Sequence, residues 1–188
     1  ALKPLEEVPA NPDAETIENN LTFVGLICLN DPPQSDTVEA INTCNIAGIH
    51  TIMITGDNVL TAKAIARRIG ILTDDSQATT GTELDKMTDE ELASQVEKYT
   101  VYARITPEDK MRIIKAWQKN SKIVAVTGND FEDADSLSLA DIGCSVGKYG
   151  ANATEGNADV IVKNKKFMTV VSAIRESRAL FDNVKKSV

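Results

Sequence analysis

Gly48 to Gly70 reads G-I-H-T-I-M-I-T-G-D-N-V-L-T-A-K-A-I-A-R-R-I-G, and the rest of the chain is organised around it. Ile49 to Ile54 is an apolar, β-rich run. Thr55, Gly56 and Asp57 follow, and then Ala62, Ile65, Ala66 and Ile69 recur on one face of a helix. The pattern is strand, tight turn, helix. In a parallel sheet, ligands bind beyond the carboxyl ends of the strands. Thr55 places a hydroxyl there, and Gly56 allows close backbone approach. The next helix turns its free N–H groups and positive dipole end to the same place. The stretch suits a bound phosphate. Taken alone, T-G-D is a weak signal, equally at home in a plain strand-to-helix turn.

Working outward, alternation of strands and helices continues on both sides. Ala1 to Asn20 reads as an extended lead-in, and Leu21 to Leu29 (L-T-F-V-G-L-I-C-L) as a buried strand stopped by Asp31, Pro32 and Pro33. Asp36 to Ala47 has helical periodicity, ended by Gly48. Further on, Ala78 to Thr80 reads as a short strand. Thr88 to Glu91 reads as a capping box before a helix reaching about Lys98. Val101 to Ala103 reads as a strand ending in Arg104. Thr106-Pro107-Glu108-Asp109 opens another helix, which carries Lys110. Lys122 to Val126 is a second strongly apolar strand. A short helix over Asp133 to Ala140, a strand over Ile142 to Val146, a glycine-bearing loop over Gly147 to Gly156 and a strand over Val160 to Val162 complete the core. Phe167 to Val188 reads as a long amphipathic helix with Val170, Val171, Ile174, Leu180, Phe181 and Val184 on its buried side. The fold expected is α/β, a doubly wound and mostly parallel sheet.

Composition narrows the function. At 188 residues the chain buries roughly 70 % of its unfolded surface and needs no staple. A net charge of −8 argues against nucleic acid as a partner. Cys28, Cys44 and Cys144 are odd in number and lie in apolar segments, so they read as reduced and structural. His50 has no neighbouring ligand pattern. No signal-peptide pattern and no apolar run near ~18 residues is found. The first residue is Ala rather than Met, which suits a piece of something longer.

Two strands end in Thr-Gly and a polar residue: Thr55-Gly56-Asp57 and Thr127-Gly128-Asn129. Lys110 lies between them, and Asp130, Glu132, Asp133 and Asp135 follow the second. Hydroxyls, a lysine and carboxylates at strand ends suit phosphoryl transfer with Mg2+. Singly, each has a blander reading: a solvated lysine, an acidic turn, a surface arginine at position 104. In this order they point to a site.

The chain resembles the phosphorylation domain of P-type ATPases, within the haloacid dehalogenase-like superfamily. The resemblance rests on D-P-P at Asp31 to Pro33, M-I-T-G-D-N at Met53 to Asn58, T-A-K-A-I-A-R-R-I-G-I, A-R-I-T-P-E-D-K at Ala103 to Lys110, A-D-I-G at Ala140 to Gly143 and R-A-L-F-D-N-V-K-K at Arg178 to Lys186. It covers nearly all of Leu21 to Val188 and is nearest to the calcium pumps of type II. It implies that Thr55, Gly56 and Lys110 contact the phosphoryl group, that Asp57 and Arg104 lie near the nucleotide, and that Asp31, Pro32 and Pro33 form a hinge. It implies ATP and Mg2+ in the parent protein, with Asp133, Asn129 and Asp130 as the residues at the metal position. The implied organisation is a lead-in over 1–20, a phosphorylation-domain core over 21–166 and a stalk-like helix over 167–188. The implied partners are nucleotide-binding and actuator domains and membrane helices, with Ca2+ as cargo, at the cytoplasmic face of a membrane.

Three departures qualify it. The family's nucleophile is the Asp of D-K-T-G, and no D-K-T-G occurs in this chain. In the family that motif precedes the nucleotide-binding domain, and its strand lies mid-sheet, so two strands are expected here with open edges. The family's T-G-D-G-V-N-D-A-P reads T-G-N-D-F-E-D-A-D at Thr127 to Asp135, with Asn129 in place of the metal-binding Asp and Asp130 in place of Gly. The residue after the two prolines, usually Arg, is Gln34. The expected function is therefore the phosphoryl- and Mg2+-binding part of the phosphorylation domain of an ATP-driven cation pump, inactive alone. The alternatives are a non-catalytic regulatory module and a soluble phosphatase of the same superfamily.

Overall fold

The computed structural model describes residues 1–5, 7, 10–27, 32–147, 155–164 and 166–187. The chain divides into two compact units, Ala1–Pro32 and Pro33–Val188.

In the first unit, α1 (Ala14–Ile17) is a single turn. Leu2 and Thr22 form an antiparallel bridge, exchanging backbone hydrogen bonds of 2.9 and 2.8 Å. The expected strand from Leu21 does not form among the described residues. Its side chains stand in solvent, with Phe23 73 % and Ile27 91 % exposed. An apolar run becomes a buried strand only when a sheet receives it, and one bridge is no sheet. Residues 28–31, which include Cys28 and the first expected hinge residue Asp31, lie outside the described residues.

The second unit opens with α2 (Thr37–Ile46), which buries Ala40, Ile41 and Cys44. Gly48 closes it in the left-handed conformation at φ 70°. Gly48 N–H donates to Asn45 O and Ile49 N–H to Cys44 O, the paired bonds of a Schellman motif. Then come β1 (Met53–Thr55), α3 (Val59–Ile69), β2 (Ala78–Thr80), α4 (Gly81–Leu84), α5 (Asp89–Gln95), β3 (Val101–Ala103) and α6 (Pro107–Lys119). The second half holds β4 (Ala125–Gly128), α7 (Ala134–Leu139), β5 (Ile142–Val146), β6 (Val160–Val162) and α8 (Phe167–Lys186). β4 starts later than its apolar run because Val124 N–H is taken by the Asp141 carboxylate at 2.8 Å. Most of the expected loop over Gly147 to Gly156 lies outside the described residues.

The strands form two parallel three-stranded sheets, ordered β1-β3-β2 and β4-β5-β6. β1 and β4 are each an edge among the described residues, as the absence of a mid-sheet nucleophile strand leads one to expect. β3 is central and covered on both faces, which is why all three of its residues are buried. Tyr102 packs with Leu84 of α4, Leu92 of α5, Val96 just after it, and Ile113 and Trp117 of α6. Val101 and Ala103 face Ala62 and Ala66 of α3. In the second sheet Val126 packs with Leu137 and with Ile114 of α6. Ile113 and Ile114, neighbours on one helix, therefore seat in two different cores.

α8 packs through Val170 and Val171, against β6 and α2. Its second half departs from expectation: Leu180, Phe181 and Val184 are 66, 67 and 55 % exposed. Periodicity shows that these residues share a face, but not whether a surface lies opposite. Arg178, midway along the helix, ties it to the end of α2, its Nη1 donating to Ala47 O at 2.9 Å.

Candidate functional site

Two loops at the carboxyl ends of β1 and β4 carry the polar residues. At β1, Thr55 Oγ1 accepts from Asp57 N–H at 3.1 Å, which closes a tight turn. Asn58 caps α3, its Oδ1 accepting from Leu60 N–H at 2.9 Å. The β3 loop is stitched to this turn: Arg104 N–H donates to Asp57 O and Ile105 N–H to Thr55 O, each at 3.1 Å. Arg104 bends to φ 53° to do so. A Cβ built on Gly56 meets no protein atom within 4 Å, so the space above it is open to a ligand.

At β4, the turn is built on Asp133. Its Oδ1 accepts from Lys110 Nζ at 2.6 Å, and its Oδ2 accepts from the backbone N–H groups of Asn129 (2.9 Å) and Asp130 (3.3 Å). Burial alone raises the Asp133 carboxyl, but the Lys110 hydrogen bond and charge, with the two amides, outweigh it and hold it below the usual carboxylate value. Gly128 is required here: a Cβ would stand 2.6 Å from Asp133 Cβ. Asp130 sits in ordinary extended backbone at φ −126° and asks for no glycine freedom. Its Oδ1 accepts from Phe131 N–H at 2.7 Å, capping the next turn.

A cavity of about 330 Å³ at this end is lined by Gln34, Thr127, Gly128, Asn129, Val146 and Phe167. A neighbouring cleft of about 300 Å³ runs between the open edges, lined by Met53 and Ile54 of β1, Val126 and Thr127 of β4, and Lys110. Thr127 belongs to both. The structure thus joins Lys110, Asp133 and Asn129 beside Thr127, and separately Thr55, Asp57 and Arg104; of these, Lys110 and Thr127 line the cleft. A larger cavity of about 610 Å³ lies at the opposite strand ends, where the His50 ring meets Trp117 at a tilt of 42°.

Two contributors were not foreseen as site residues. Gln34 lines the cavity. Gly81 backs the β3 loop, since a Cβ there would lie 2.5 Å from Arg104 O and 3.2 Å from Asp109 Oδ2. The signal for Gly81 was the T-x-x-E capping box at Thr80 to Glu83, which marks a helix start immediately after β2.

Residues 3–141 match the haloacid dehalogenase-like hydrolase family. The chain belongs to that family. Curated relatives of this haloacid dehalogenase-like chain are calcium pumps. It is 42 % identical to Calcium-transporting ATPase 1 of Bacillus cereus over 95 % of its own length and 20 % of that protein. It is 41 % identical to the human Calcium-transporting ATPase type 2C member 1, covering 89 % of this chain and 18 % of that one. The chain spans about a fifth of the length of the curated relatives it matches. Among solved structures, the catalytic domain of the CPx-ATPase CopB-B superposes with a TM-score of 0.56 at 21 % identity, covering 76 % of this chain and 45 % of that one, which speaks to the fold. No helix among the described residues of this haloacid dehalogenase-like chain is long and apolar enough to cross a membrane.

Proposed function

We propose that this chain forms the phosphoryl-binding part of the phosphorylation domain of an ATP-driven, Ca2+-transporting P-type pump. The observation that carries the reading is the Lys110–Asp133 pair beside Thr127, at the rim of the cleft between two open strand edges. Lys110 supplies positive charge to phosphoryl oxygens, where charge accumulates in transfer. Thr55 supplies a hydroxyl and Gly56 the open approach. Asp57 and Arg104, stitched together through the backbone, face the nucleotide as a separate domain delivers it. Asp31, Pro32 and Pro33 act as the hinge to that domain, residues 21–166 as the core and 167–188 as the stalk toward membrane helices. ATP is the substrate of the whole pump at the cytoplasmic face of its membrane, and Ca2+ the cargo that the relatives' names support.

With no D-K-T-G in the chain, it does not phosphorylate itself. Incubated with γ-labelled ATP, the 188-residue chain yields no acid-stable phosphoprotein, and it does not hydrolyse p-nitrophenyl phosphate. It does bind orthophosphate, followed by 31P NMR, and Lys110→Ala weakens that binding by at least about tenfold, as loss of a charged hydrogen bond should. Unchanged binding in Lys110→Ala overturns the reading. Hydrolysis of the nitrophenyl ester favours the soluble phosphatase. Asn129 is the observation that favours a regulatory module, and an intact pump that carries D-K-T-G yet forms no phosphoenzyme is its test.

A further inference from the structure

The turn after β4 offers amides where a divalent cation asks for carboxylates. Mg2+ demands a near-octahedral set of oxygens and is held by one or two carboxylates together with water and phosphate. Several carboxylates follow β4 in the chain, and none lines the cavity. Asp133 is committed on both oxygens, to the ammonium of Lys110 and to the N–H groups of Asn129 and Asp130. Asp130 accepts from Phe131 N–H on one oxygen and does not line the cavity. Glu132 and Asp135 are exposed and do not line the cavity. Among the described residues no group of three His, Cys, Asp or Glu side chains is placed to hold a metal. The polar side chains that do line the cavity, Gln34, Thr127 and Asn129, are all neutral. Two are amides with a pair of N–H donors each, and one is a hydroxyl.

We infer that this site holds a phosphate-sized oxyanion through amide, hydroxyl and ammonium donors, without a divalent cation. The inference rests on the phosphoryl-site reading above. A cation entering here must first take Asp133 away from Lys110, and so gives up an ion pair already made at 2.6 Å. An oxyanion asks for no such exchange. Lys110 stands in the adjoining cleft that shares Thr127 with the cavity, and it keeps two N–H donors beyond the one given to Asp133. Thr127 and the two amides provide neutral donors, and the lining adds no negative charge to repel the anion. An aspartate at position 129 reverses this balance. It sets a negative charge beside the anion and makes anion binding depend on a cation between them.

Linkage makes the difference measurable, because two ligands that share a site change each other's affinity by the same factor. Orthophosphate is titrated into the 188-residue chain by 31P NMR, once with excess EDTA and once with millimolar MgCl2. The two dissociation constants agree within about threefold for the wild type. In Asn129→Asp, phosphate binding weakens by about fivefold or more in EDTA and recovers with Mg2+. A wild-type affinity that Mg2+ tightens by more than about threefold overturns this inference and leaves the phosphoryl-site reading standing. No orthophosphate binding in either condition overturns both. A second measurement needs no variant: free Mn2+ is counted by electron paramagnetic resonance with and without saturating phosphate. Phosphate leaves Mn2+ binding by the wild type unchanged, and a bound Mn2+ that appears only with phosphate overturns the inference.

Discussion

Asp133 does two jobs with one carboxylate, since one oxygen shapes the loop and the other holds Lys110 in place. The pair is mostly shielded, with side chains 17 and 19 % exposed. Removing the lysine leaves a shielded carboxylate short of its charged partner, and Lys110→Ala should destabilise the chain by about 2 kcal/mol near neutral pH. The pH dependence has a definite sign. The folded-state pKa of Asp133 is depressed, so its contribution is present above the unfolded value of about 3.9 and is lost as pH falls through the folded value. The gap between wild type and Lys110→Ala in urea midpoints should therefore close below about pH 4, and a gap that persists undiminished in acid argues that the lysine stabilises by packing of its stem. The types of residue in this site were legible in the sequence, because Thr-Gly, Lys and Thr-Gly followed by acids occur in the order phosphoryl chemistry uses. Their division of labour was not. Which carboxylate meets Lys110 depends on how a turn folds 23 residues away, and Asp130, equally placed in the sequence, caps Phe131 N–H and does not line the cavity.

Among the elements, α3 was legible: of the four residues its periodicity marked, Ala62, Ala66 and Ile69 are buried and Ile65 is half-buried, and Gly70 closes it at φ 84°. The short β3 was legible too, since three buried residues between two capped helices leave little else to build. Leu21 to Ile27 and the second half of α8 misled for one shared reason. An apolar pattern states that a face is suited to burial, while the burying surface is a long-range fact. α8 turns this into a measurement. Val171→Ala removes a methyl-bearing side chain from a packed cluster and should cost about 2 kcal/mol, whereas Phe181→Ser should lie within about 0.5 kcal/mol of wild type. Amide exchange should be slow around Val170 and fast beyond Arg178. Equal penalties at the two positions would mean that Phe181 is covered in solution. Gly81 escaped for the same long-range reason, because the carbonyl that forbids a side chain there belongs to Arg104.

For the whole molecule, β1 and β4 are the exposed liability. Each offers unpaired backbone groups to a neighbouring strand, and the cleft between them is walled by Met53, Ile54 and Val126. The 188-residue chain should self-associate with rising concentration, or take up a strand from another segment; sedimentation that stays monomeric, with one cooperative melt, counts against this. The doubly wound pattern was legible from the alternation of elements, while the split into two sheets followed from the missing nucleophile strand. One feature joins the halves. Ile113 is seated in the core of the first sheet and Ile114 in that of the second, on the helix whose first turn carries Lys110. α6 is thus an axle between two plates. A change in the angle of the plates should roll the axle and carry with it the ammonium that lines the cleft. An anion that holds the ammonium should therefore restrain that roll, and with it the angle between the sheets.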